Sequence, residues 1–197
     1  LGEHRVQRGD RLGDLPILAA QFGFEQVGIA TRAFIDRRIA LQAPQRLVGF
    51  RRALEARQRQ EMNLQAIGYH WVVYTNGAVA NGRHLDEIGA HAYAYNASSI
   101  GICLIGTDKF SAAQWASLRD NLCATARTLA DARGLPKKSW GRPTPSEAIA
   151  LYREMGVRVL GHRDLPEVHK ECPGFDVATF LAGGMQPLAE HLLEAAE

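Results

Sequence analysis

Cysteine is scarce in this 197-residue chain: Cys103, Cys123 and Cys172 are widely spaced and odd in number. Such usage argues against a disulfide framework and suits a fold that does not depend on oxidation. Long apolar runs are lacking as well. No stretch reaches the roughly 18 residues that a membrane-spanning helix needs, so no membrane insertion is expected. The first residues do not run from positive charge into an apolar segment, so no secretory signal is expected and the chain is read as cytoplasmic at first. A charge surplus is also missing. Twenty-three basic residues face 21 acidic ones for a net +2, which excludes the strongly basic footprint of a nucleic-acid binder. Neither a repeat nor a low-complexity tract appears.

What is present is ordinary globular material, 46% hydrophobic and 22% charged. The length fits one α/β domain with an extension, and nothing signals oligomerisation, so a monomer is expected. Residues 1–38 read as an N-terminal extension of uncertain role and 39–197 as the main domain. Short strands are expected at 27–30 and 39–43, with a short helix at 16–22. Residues 47–61 turn helical, with Leu47, Phe50 and Leu54 on one face and Arg52 and Arg59 on the other. His70 to Tyr74 are β-formers, and Asn76-Gly77 predicts a tight hairpin returning through 78–80, both turn positions taking positive φ. The apolar run 100–105 predicts a buried central strand.

Ser111 and Gln114 form an S-x-x-Q capping box opening a long helix that Gly134-Leu135-Pro136 ends. A second helix runs from Pro145 to about Met155, and Gly156 stops it. A strand at 157–160 follows. Residues 176–193 read as largely helical, broken near Gly183-Gly184. The pattern implies a mixed central β-sheet flanked by helices.

Three blocks could carry chemistry. Residues 162–175, His-Arg-Asp-Leu-Pro-Glu-Val-His-Lys-Glu-Cys-Pro-Gly-Phe, begin where an apolar strand ends, a usual place for ligands in α/β sheets. His162 and Cys172, separated by a loop, can coordinate one Zn²⁺, and Lys170 would set an ammonium beside it. On spacing alone, a histidine at a strand end and a buried structural thiol explain the same residues. Gly68-Tyr69-His70 could present the Tyr69 hydroxyl as an acid–base partner, or Tyr69 could simply pack. Gly89-Ala90-His91-Ala92 and Asn96 read as a loop over the sheet. Cys103 reads as a small buried hydrophobe.

In this order and spacing, Gly-Tyr-His at 68–70, Gly82-Arg83, Gly-Ala-His-Ala at 89–92, Asn96, Ser-Ile-Gly-Ile-Cys-Leu-Ile-Gly at 99–106 and the 162–175 block resemble one family. It is the N-acetylmuramoyl-L-alanine amidases of the phage T7 lysozyme and peptidoglycan recognition protein type. The resemblance implies a phage-lysozyme-type α/β fold and zinc-dependent cleavage between N-acetylmuramic acid and the L-alanine of the stem peptide. His162 and Cys172 match zinc ligands, Tyr69 and Lys170 match catalytic residues, and His91 and Asn96 match the groove that binds the peptidoglycan stem. An endolysin of phage or prophage origin, released to act on the cell wall, is the role so implied. A non-catalytic peptidoglycan-binding module is the alternative. The sequence departs from the family pattern at the third zinc ligand, a histidine ending the first core strand. No histidine lies between His4 and His70; Gln42 or Ala30 stands near that position, with His169 or His4 as substitutes from elsewhere.

Overall fold

The computed structural model describes residues 67–136 and 141–193, together with the backbone of the strand Gln26–Arg32. That strand, β1, is joined by β2 (Trp71–Val73), β3 (Val79–Asn81), β4 (Ser99–Ile105) and β5 (Arg158–Gly161). They form one sheet in the order β3-β2-β4-β1-β5. All neighbours run parallel except β2 and β3, a hairpin at one edge. Strand β1 thus lies between β4 and β5, although it falls within the first 38 residues. Strand 39–43 and the helices 16–22 and 47–61 lie outside the described residues.

The hairpin differs from the tight two-residue turn expected at Asn76-Gly77. Only Gly77 has positive φ, at 81°, and Gly77 N–H donates to the Tyr74 carbonyl while Tyr74 N–H donates to that of Ala78. The loop is therefore three residues long, a turn closed by a left-handed glycine. Asn76 contributes through its side chain instead, its Oδ1 accepting from Ala78 N–H.

Alternation along β4 gives the sheet two unlike faces. Ile100, Ile102 and Leu104 pack with helix α1 (Ala112–Ala132), helix α2 (Pro145–Glu154) and helix α3 (Val177–Ala182) in one large core. Its centre is aromatic: Phe110, Trp115, Phe175 and Phe180 are all buried, with the Trp115 and Phe175 rings 4.8 Å apart. On the other face Cys103 joins Ile67, Tyr69, Val72 and Tyr74 in a smaller cluster. Cys103 is buried there, as its place in an apolar strand predicts.

The segment after Phe175 is less helical than its composition predicts. Helix α3 ends at Ala182, because Gly184 and Met185 both take left-handed φ values, 70° and 60°. The chain then extends, makes a 3-10 turn at Ala189–His191 and bridges back to Phe110 through Leu192.

The capping boxes have long-range consequences. Ser111 Oγ accepts from Gln114 N–H and Gln114 Oε1 accepts from Ser111 N–H, as the S-x-x-Q pattern predicts. The Ser111 hydroxyl also donates to the Thr75 carbonyl, and Gln114 Nε2 donates to the Ile105 carbonyl at 2.8 Å. One cap thereby ties the helix start to the hairpin loop and to the end of β4. Ser111→Ala removes the cap and orphans the half-buried end of that network. It should lower stability by about 1–2 kcal/mol, read from urea unfolding midpoints at unchanged m-value.

Candidate metal and substrate site

His162 is placed by the end of β5. Gly161 closes the strand, and the chain turns at once into the 3-10 turn His162–Asp164, whose Asp164 Oδ2 accepts from Gly161 N–H at 2.7 Å. The loop that follows leaves and returns. Arg163 N–H donates to the Cys172 carbonyl at 2.9 Å, and Gly174 N–H donates to that of Glu171 at 2.8 Å. Gly174 has φ 89°, and a Cβ there would lie 2.2 Å from the Thr107 carbonyl oxygen, so glycine is required. Phe175 then enters the aromatic core.

Pinned at both ends, the loop sets Cys172 Sγ 3.4 Å from His162 Nδ1. The two side chains are half-buried. This separation suits a shared tetrahedral zinc, since bond lengths near 2.05 Å to nitrogen and 2.3 Å to sulfur put the two donors about 3.5 Å apart. Burial lowers the pKa of His162, and the Lys170 ammonium adds to that effect. Both keep the imidazole neutral, the form that can donate a lone pair to a metal. Lys170 itself is exposed.

The donor count is one short. Among the described residues no third His, Cys, Asp or Glu joins the pair to make a metal-binding group, whereas catalytic zinc takes three protein ligands and a water. His169, expected as a substitute, is exposed and belongs to no such group. His4 and Gln42 lie outside the described residues. The register does settle where the first core strand runs. Ile29 is level with Gly161, so the next residue along, Ala30, comes level with His162. No residue of β1 is a histidine, cysteine or carboxylate.

His91 lies on the sheet face opposite the helices. Its ring sits directly over Gly101, where a Cβ would approach His91 Cγ and Cδ2 to 2.5 Å; a Cβ on Gly89 would meet Cδ2 at 2.4 Å. Two glycines therefore make room for one imidazole. Glycine inside the apolar run Ile100-Gly101-Ile102 is the sequence signal for such an approach, and it was available without the structure. Tyr69, 6% exposed, stacks on His91 with ring centroids 5.9 Å apart, and His70 meets it edge-on at 5.7 Å. His91 Nε2 is shielded from solvent and has no hydrogen-bond partner. Burial, followed by the neighbouring His70, pushes the His91 pKa down to about 4, and His162 is near enough to contribute.

Asn96 supports this arrangement from within the loop. Its Oδ1 accepts from both His91 N–H and Ala92 N–H at 2.8 Å, so that oxygen holds the backbone of the loop. His70 and Arg83, not among the expected site residues, do comparable work. His70 Nδ1 accepts from Gly101 N–H at 3.0 Å and its Nε2 donates to the Glu87 carbonyl at 3.1 Å, which fixes a neutral tautomer. Arg83 donates to the carbonyls of Ile67 and Ile88, bracing both ends of the segment between them. The structure thus groups Tyr69 with His91 and Asn96, and His162 with Cys172 and Lys170, with His91 and His162 close enough to interact electrostatically.

The histidines give stability a definite pH dependence. His91 is lowered to about 4 in the fold, and His70 is lowered too, chiefly by burial, against 6.5 for each when unfolded. Between those values the unfolded chain binds protons that the folded chain refuses, so stability is complete above about pH 6.5 and falls as pH drops toward 4. His91 alone should account for a loss of about 2 kcal/mol across that window. Urea unfolding at pH 7 and pH 4.5 measures it, and His91→Gln should flatten the dependence.

The profile of the N-acetylmuramoyl-L-alanine amidase family matches residues 45–175. The endolysin of Klebsiella phage KP32 is 28% identical over 132 residues, covering 62% of this chain and 70% of that protein. The endolysin of Escherichia phage T7 is 40% identical over 88 residues, covering 40% of this chain and 56% of that protein. Among solved structures, Drosophila peptidoglycan recognition protein SA superposes with a TM-score of 0.58 at 16% identity, covering 89% of this chain and 84% of that one. The amidase LysC of Clostridium intestinale gives 0.50 at 19%, covering 83% and 86%. At these identities the structural likeness is one of fold. The family match spans most of the chain and takes in every chemical block described above: this chain belongs to the N-acetylmuramoyl-L-alanine amidase family.

Proposed function

We propose that the chain is a peptidoglycan amidase that hydrolyses the bond between the lactyl group of N-acetylmuramic acid and the L-alanine of the stem peptide, in the manner of an endolysin. The observation that carries this reading is the pairing of His162 Nδ1 with Cys172 Sγ at 3.4 Å, two metal donors held at a sheet edge with Lys170 beside them. His162 and Cys172 would hold zinc, which when bound polarises a carbonyl and supplies a water with a pKa near 7.

The remaining chemistry belongs to the chain. Amide hydrolysis builds negative charge on the carbonyl oxygen, and the Lys170 ammonium, exposed and close to His162, can turn toward that charge and stabilise it. The leaving amine of L-alanine must gain a proton, and a phenol held by its neighbours, such as Tyr69, is suited to relay one. Burial of Tyr69 against His91 limits its rotation, which favours a defined direction of transfer. His91 and Asn96 shape the wall along which the stem peptide would lie.

A second reading has its own support. With two donors among the described residues and no imidazole in β1, the groove could bind peptidoglycan without cleaving it. The experiment that separates the two incubates the protein with purified peptidoglycan and counts new alanine amino termini. The amidase reading expects release that a chelator abolishes and that Cys172→Ala or His162→Ala lowers by about 100-fold or more, with Tyr69→Phe and Lys170→Ala also lowering the rate. Retention on the wall with no new amino termini would establish the binding module instead.

A further inference from the structure

A half-buried histidine beyond α3 is tied to the ground on which the Cys172 loop rests. His191 ends the 3-10 turn Ala189–His191, and its Nδ1 lies 2.7 Å from the Asp108 carbonyl oxygen, 83 residues away in sequence. A carbonyl only accepts, so Nδ1 carries the proton and donates. The backbone makes the same connection twice more. Phe110 N–H donates to the His191 carbonyl at 2.8 Å, and Leu193 N–H donates to the Phe110 carbonyl at 2.8 Å. Both backbone groups of the buried Phe110 are thus satisfied from this one segment. Leu188 and Leu192 pack on the main core. Residues 188–193 therefore form a strap across residues 108–110.

The strapped segment is what the Cys172 loop leans on. A Cβ on Gly174 would meet the Thr107 carbonyl oxygen at 2.2 Å and Asp108 Cα at 2.9 Å, so the glycine brings loop backbone directly onto these two residues. Next in the chain, the Phe175 ring meets Phe110 with centroids 5.8 Å apart and His191 at 6.1 Å. Cys172 stands two residues before Gly174. A shift of residues 107–110 reaches Cys172 through Gly174 and Phe175, whereas His162 follows directly on β5 and is held by the sheet. The separation of the two donors depends on the strap through Cys172 alone.

We propose that His191 is a positioning residue for the His162–Cys172 pair. By holding Asp108 and Phe110 it fixes the seat of Gly174 and Phe175, and so keeps Cys172 within reach of His162. Its consequence for metal binding rests on the amidase reading above, but the geometry it sets is a property of the metal-free protein. The hydrogen bond from Nδ1 is the part a side-chain change removes; the two backbone bonds of the strap remain.

Iodoacetamide labelling of the metal-free protein, read cysteine by cysteine by peptide mass spectrometry, tests it. Cys103 and Cys123 are buried and Cys172 is half-buried, so the three thiols separate local loosening of the loop from general unfolding. His191→Ala should speed labelling of Cys172 about fivefold or more while Cys103 and Cys123 stay unlabelled over the same time. His191→Asn, whose amide keeps a donor near the Nδ1 position, should bring the Cys172 rate back to within about a factor of two of the unaltered protein. In titrations with Co²⁺, His191→Ala should weaken binding about fivefold and His191→Asn should restore it. An unchanged Cys172 rate in His191→Ala, or labelling of all three cysteines together, would overturn the assignment. An unaltered protein that gave no cobalt–thiolate band would overturn the metal reading alone, because the labelling rates are measured without metal.

Discussion

Phe175 is buried among Phe110, Trp115 and Phe180, and the loop that carries His162 and Cys172 depends on that anchorage. The loop from His162 to Gly174 has little regular structure of its own. It begins at a strand in the sheet and ends at a ring locked into the aromatic core, and between those points backbone hydrogen bonds from Arg163 to Cys172 and from Gly174 to Glu171 fix its course. The 3.4 Å approach of Cys172 to His162, within hydrogen-bonding reach for sulfur, is set up by those two well-packed ends. A loop so tied is ordered before a ligand arrives, which is the condition for a metal or substrate to bind without the entropic cost of ordering it.

The two faces of β4 divide the work of the protein. One face buries Ile100, Ile102 and Leu104 under the helices and supplies most of the hydrophobic stabilisation. The other omits a side chain at Gly101 so that His91 can lie against the backbone, stacked on Tyr69 and met by His70. Burial disfavours the charged forms of His70 and His91 there, and of His162 at the end of β5 nearby. The result is a cluster of neutral imidazoles with the Lys170 and Arg83 cations near it.

Much of this was legible in the sequence, for identifiable reasons. Capping boxes are local and chemically specific, so Ser111 with Gln114 marked the helix start. The apolar run 100–105 could only be a buried strand, and the order of the Gly-Tyr-His, Gly-Ala-His-Ala and 162–175 blocks pointed to the family. Features that rest on contacts between distant residues were not legible. Asn76-Gly77 signalled a turn, but the third loop residue depends on the Tyr74–Ala78 pairing across the hairpin. Helicity after Gly184 was overridden by the bridge from Leu192 to Phe110. The central position of β1 could not be read from a seven-residue strand bordered by weak signals. That Asn96 braces His91 through its oxygen likewise depends on the fold of the loop.

The metal site is where chemistry and sequence pull apart. His162 and Cys172 have a separation that suits zinc, and the Lys170 charge is felt at His162, yet β1 runs past His162 with Ala30 at its level. The proposed function takes the pair to bind a metal all the same. Cobalt substitution tests this most directly, because a cobalt–thiolate bond absorbs in the near ultraviolet and reports Cys172 itself. The account predicts one equivalent of Co²⁺ per chain with a thiolate-to-cobalt band that Cys172→Ser abolishes. Saturating cobalt without such a band would show that the pair holds no metal and would contradict the account.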